Sequence, residues 1–137
     1  MTESDALTEW FAEKRGSYVD VIIAGRVFGG RHGESPQQPQ ACEFDGSALR
    51  IGFGTTEQLI VDQPSGFQRG RDGELVIPYA ARAVFGWHYY GRKQTPENWC
   101  EEIYEVNDGR IQLTRRGPLM PGVERFAYSG TRFVELL

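Results

Sequence analysis

Residues 85–92, Phe85-Gly86-Trp87-His88-Tyr89-Tyr90-Gly91-Arg92, bring four aromatic rings, one of the chain's two histidines and an arginine into eight positions. Each of these types can do chemistry at neutral pH. An imidazole takes or gives a proton, a flat ring stacks on a sugar, a base or a peptide, and a guanidinium pairs with a carboxylate or phosphate. Side chains alternate along a strand, which sends Phe85, Trp87 and Tyr89 to one face and His88 and Tyr90 to the other. One face can be core and the other a site. His88 is therefore a candidate general base, with Glu101 as a candidate catalytic carboxylate; Glu57 and Glu102 could serve the same role if the fold brings them close. Trp87, Tyr89, Tyr90 and Arg92 are candidate ligand-binding residues, and Arg31 joins them from the loop Gly29-Gly30-Arg31-His32-Gly33. The purely structural alternatives are a strand histidine bonded to a neighbour, rings in a core or dimer contact, and an Arg92–Glu97 surface pair.

The motifs that would name a reaction are missing. The loops 29–33 and Gly66-Phe67-Gln68-Arg69-Gly70-Arg71 could offer backbone N–H groups and arginines to an anion. Neither is a G-x-G-x-x-G fingerprint or a P-loop. The chain contains no G-x-S-x-G elbow and no H-E-x-x-H run, and two histidines do not make a His-rich metal site. Cys42 and Cys100 stand without C-x-x-C spacing and read as free thiols. The sequence thus implies no cofactor and no metal. Fifteen basic against nineteen acidic residues leave a net charge of -4, which argues against a general polyanion surface, so nucleic acid is an unfavoured partner. The opening Met1-Thr2-Glu3-Ser4-Asp5 is acidic, and no long apolar run follows it. That predicts a cytoplasmic protein without a membrane segment.

The elements that must position these residues follow from periodicity. With 137 residues, 39% of them hydrophobic, the chain is expected to form one domain over 1–137 with a core of its own. Leu7, Trp10 and Phe11 recur at helical spacing between cap-competent Thr2, Ser4 and Asp5 and the terminating Lys14-Arg15-Gly16, which predicts a helix over about 4–15. From there to about 136 the pattern is β-rich. Val19, Val21 and Ile23 alternate in a first strand running to about Phe28, where Gly25 suggests a bulge or a close backbone approach. A loop over 29–40 precedes strands near 41–45, 48–53 and 57–62, joined at Asp45-Gly46 and Gly54-Thr55-Thr56. Residues 63–73 read as a loop, and Pro78 separates a strand at 75–77 from the extended run 82–90. Thr95-Pro96-Glu97-Asn98 is a helix-opening sequence, yet Asn107-Asp108-Gly109 is a hairpin turn, which favours one helical turn followed by a strand near 99–106. Phe126, Tyr128, Ser129-Gly130 and Phe133 suggest a closing hairpin. The expected architecture is mainly β, α+β by strict count: an antiparallel meander forming a small barrel or a curved two-layer sheet with one N-terminal helix.

The segment Trp87-His88-Tyr89-Tyr90-Gly91-Arg92-Lys93-Gln94-Thr95-Pro96-Glu97-Asn98 resembles a W-x-Y-Y-G-R-x-x-T-P-E-N segment in a group of small bacterial proteins with no known activity. Where that group carries a W-F-G-R-P-like stretch after its first strand, this chain has Val27-Phe28-Gly29-Gly30-Arg31. The resemblance implies a shared bacterial fold and supplies no reaction. The functional expectation is a binding module that uses strand 85–92 and the Gly/Arg loops to hold a protein or a small molecule. The alternative is a small hydrolase or lyase with His88 as base and Arg92 on an anionic group of the substrate. A homodimer built on the aromatic face is a third reading.

Overall fold

The computed structural model describes residues 3–17, 19–28, 38–53, 57–88, 93, 95–116 and 132–136. One helix and eleven strands are assigned among them, and the strands form two sheets.

Helix α1 spans Glu3–Lys14. It closes as its sequence predicts: Arg15 N donates to the Phe11 carbonyl at 2.9 Å, and Gly16 takes the left-handed conformation at φ 80°. Leu7 and Trp10 are buried, Trp10 completely, and Phe11 packs half-buried beside them. An ion pair of 2.8 Å from Glu13 to Arg69 ties the helix to the sheet below it.

The six-stranded sheet runs β10-β9-β8-β5-β4-β3, with every neighbouring pair antiparallel. Its strands are β3 (Pro39–Phe44), β4 (Ala48–Phe53), β5 (Glu57–Pro64), β8 (Tyr79–His88), β9 (Trp99–Asn107) and β10 (Arg110–Arg116). The meander is therefore present, but β10 and β3 remain as its two edges and the sheet does not close into a barrel. A five-stranded sheet, β2-β1-β11-β7-β6, forms the second layer from β1 (Asp20–Ile23), β2 (Arg26–Phe28), β6 (Gln68–Arg69), β7 (Leu75–Ile77) and β11 (Arg132–Leu136).

Two local expectations change. Gly25 is not a bulge: Ile23 pairs with Arg26, leaving Ala24-Gly25 as a two-residue hairpin turn with φ of 51° and 83°. Both central residues then lie in the left-handed region, as a type I′ turn requires. The expected loop 63–73 contains β6, which pairs with β7. Strand β11 runs parallel to β1 on one side and to β7 on the other. A strand has two hydrogen-bonding edges, and both are occupied along Val134–Leu136. Phe126, Tyr128, Ser129 and Gly130 lie outside the described residues.

Pro78 acts as the sequence suggested, at a corner. The β5–β8 pair is one long hairpin whose far part, β6 and β7, belongs to the other sheet. Pro64 and Pro78 stand where the two chains cross over, and Ser65 N donates to the Pro78 carbonyl at 2.6 Å. Proline lacks the N–H that a continuing ladder would need.

The core fills the space between the layers. Leu49, Ile51, Phe53, Leu59, Val61, Ala83 and Phe85 from the large sheet meet Val21, Ile23, Phe28, Leu75 and Ile77 from the small one, with Trp10 and Leu7 of α1 in the same cluster. Phe28 stacks on Phe85 with ring centroids 4.5 Å apart and meets the Tyr104 ring edge-on at 6.4 Å. Among the described residues no helix is long and apolar enough to cross a membrane.

Candidate functional site

Because register fixes facing, the ladder of the large sheet sorts every residue of β8 and β9. Ala83, Phe85 and Trp87 lie on the core face, opposite Tyr104, Glu102 and Cys100. Val84, Gly86 and His88 lie on the outer face, opposite Ile103, Glu101 and Trp99. The alternation predicted for 85–88 therefore holds. Trp87 retains 7% exposure, and its ring packs 6.2 Å from Phe85 and 6.0 Å from Phe28. It is a core residue. Tyr89, Tyr90, Arg92 and Arg31 fall outside the described residues.

His88 ends β8 on the outer face, and its ring meets Trp99 edge-on at 4.9 Å. Trp99 opens β9 directly after the single 3₁₀ turn Pro96–Asn98, which Asn98 braces by donating through Nδ2 to the Lys93 carbonyl at 2.9 Å. The indole packs against Gly86. A Cβ at position 86 would collide with Trp99 Cζ2, so glycine is what admits the ring there. Trp99 Nε1 donates to Glu101 Oε1 at 3.0 Å, fixing the indole from its other side. The result is a half-buried group of imidazole, indole and carboxylate at one end of the outer face.

His88 Nδ1 is buried and makes no hydrogen bond. A buried ring nitrogen without a partner costs stability, and the indole nitrogens of Trp10 and Trp87 in the core share this state. Glu101 shares the outer face with His88, but its carboxylate accepts the Trp99 indole N–H. The two other carboxylates weighed for this role face away: Glu57 is buried on the core side, and Glu102, fully buried, accepts the Tyr104 hydroxyl at 3.0 Å. Among the described residues no carboxylate orients the imidazole, so the base-and-orienter geometry of acid–base catalysis is not assembled.

Nor do the cysteines supply a nucleophile. Three strands separate Cys42 on β3 from Cys100 on β9, and no disulfide joins them. Burial pushes the Cys42 thiol up to about 11, which keeps it protonated at neutral pH.

About 20 Å along the same face, at six residues of 3.3 Å rise from His88, the ladder aligns Asp62, Arg82 and Glu105 across β5, β8 and β9. Arg82 Nε donates to Asp62 Oδ2 at 2.9 Å. This row borders a groove of about 640 Å³ lined also by Ser47, Ala48, Gln63, Ala80, Ala81 and Asn107. Sequence reasoning missed both Trp99 and this row. Gly86 inside the strand is a local cue to a close approach, but nothing local names the ring that fills it. Arg82, Asp62 and Glu105 meet only through register.

Comparison of the chain with protein-family models, with curated proteins and with solved structures finds no match.

Proposed function

We propose that the protein is a cytoplasmic binding module that recognises a protein or small-molecule ligand through the His88 end of the outer sheet face. The observation that carries this reading is the His88–Trp99–Glu101 group. An edge-on aromatic pair is fixed by a hydrogen bond and by Gly86, beside a buried imidazole nitrogen that has no partner in the fold. A site of this kind is pre-organised, because its rings need no reordering on binding. It offers apolar ring edges and one carboxylate oxygen, with the buried imidazole nitrogen beneath them. Tyr89, Tyr90 and Arg92 continue the chain directly from His88.

A fragment library screened by NMR tests the reading, with the Trp99 indole N–H and the His88 ring carbons as reporters. Ligands of the site shift both signals and leave the Trp10 indole, which lies in the core, unmoved. A library whose binders all act elsewhere, or that yields none, counts against the site.

A further inference from the structure

The groove at the opposite end of the outer face is built on a defect in the ladder. Asp62 pairs with Arg82, and the next pair is Pro64 with Tyr79, so β8 carries one residue more than β5 across this interval. Ala80 and Ala81 form the bulge. Opposite them Gln63 is held at φ 53°, a strained value for a residue other than glycine, and its N–H donates to the Ser47 carbonyl at 2.7 Å, continuing the β4–β5 register. Bulges re-aim side chains and recur beside binding sites. Here the small side chains of Ala48, Ala80 and Ala81 leave the volume open.

The charges along the row are not balanced among themselves. Arg82 turns toward Asp62 and uses Nε for that bond. Its two Nη groups make no hydrogen bond with a described residue. Glu105, on the other side of Arg82 in the ladder, is exposed and forms no ion pair with it. The groove thus presents one guanidinium edge and one uncommitted carboxylate, separated by more than an ion-pair distance. Ser47, Gln63 and Asn107 supply neutral hydrogen-bonding groups between and around them. A ligand with a single charge satisfies one of the two and leaves the other. A ligand that carries a carboxylate and an ammonium on one short chain satisfies both.

We propose that this groove binds a small aminocarboxylate, its carboxylate on the Arg82 Nη groups and its ammonium on Glu105. Asp62 holds the guanidinium in place, since its bond at Nε leaves the Nη edge directed outward. The site is independent of the His88 group and uses none of its residues.

The test is an NMR titration of the protein with glycine, β-alanine, 4-aminobutyrate and 6-aminohexanoate, with butyrate and butylamine as single-charge controls. The expected result is saturable shifts at Arg82 and Glu105, strongest at one chain length, with each control weaker by at least about tenfold. Arg82→Met and Glu105→Gln should each weaken the preferred ligand by about tenfold or more, and unchanged dispersion of the core methyl signals confirms that both variants fold. Equal binding of controls and aminocarboxylates, absence of saturation with all four, or variants that bind as the parent does would each overturn the proposal.

Discussion

Gly86 and Trp99 show how one missing side chain shapes a surface. A Cβ at position 86 meets Trp99 Cζ2, so Gly86→Ala must push the indole off the strand and away from the Glu101 bond. The cost expected for such overpacking is about 1–3 kcal/mol. In a Trp99→Ala background the same substitution should cost much less, and a thermodynamic cycle from denaturant unfolding measures the difference. Equal costs in both backgrounds would mean that the ring does not sit there. At this scale the sequence was legible for facing and silent for partners. A period of two separates Phe85 and Trp87 from His88 whatever the fold. Which residue lies across the ladder from His88 depends on the β8–β9 register, which no property of either strand alone determines.

Elements were read best where a turn has its own chemistry. Thr95-Pro96-Glu97-Asn98 gives one 3₁₀ turn followed by β9 from Trp99 to Asn107, and Asp108-Gly109 closes the next hairpin with φ of 51° and 75°. Ala24-Gly25 escaped because alanine is not a residue of the left-handed region, although the apolar phase shifts there from Val19, Val21 and Ile23 to Phe28. Ala24 holds φ 51° against its preference, so Ala24→Asn is expected to raise stability by about 0.5–1 kcal/mol, read from the urea midpoint. The β3–β4 turn offers a second check. Asp45 Oδ1 accepts the backbone N–H groups of Ala48 and Ser47, each at 2.8 Å, and these bonds hold its carboxyl below the ordinary aspartate value of 3.8. A lowered folded value means that the carboxylate's contribution is complete above 3.8 and is lost as pH falls through the folded value. Asp45→Asn should flatten the acid limb of the stability profile and leave the neutral limb unchanged in shape. Helix α1 is anchored by Trp10, which has no exposed surface, so Trp10→Ala is expected to cost about 3–5 kcal/mol in denaturant unfolding.

At the scale of the molecule, the two-layer β architecture with one helix was legible from strand spacing and turn signals. The mixed second sheet was not. Its central strand β11 lies parallel to β1 and β7, partners far away in sequence, and parallel neighbours leave no hairpin signature between them. The corner at Pro64 and Pro78 joins the sheets and fixes what each face of β8 meets. Phe85 and Trp87 are spent on the core, and His88 is presented at the outer rim. In the proposed function this histidine serves recognition and not folding. His88→Phe tests it most directly, because phenylalanine preserves the ring against Trp99 and removes the buried nitrogen that has no partner. Melting temperature and affinity for the tightest fragment of the outer face are measured on the same variant. The expected result is an unchanged or higher melting temperature together with a loss of affinity of at least about tenfold. Retained affinity, or a fold that melts well below the parent, would contradict it.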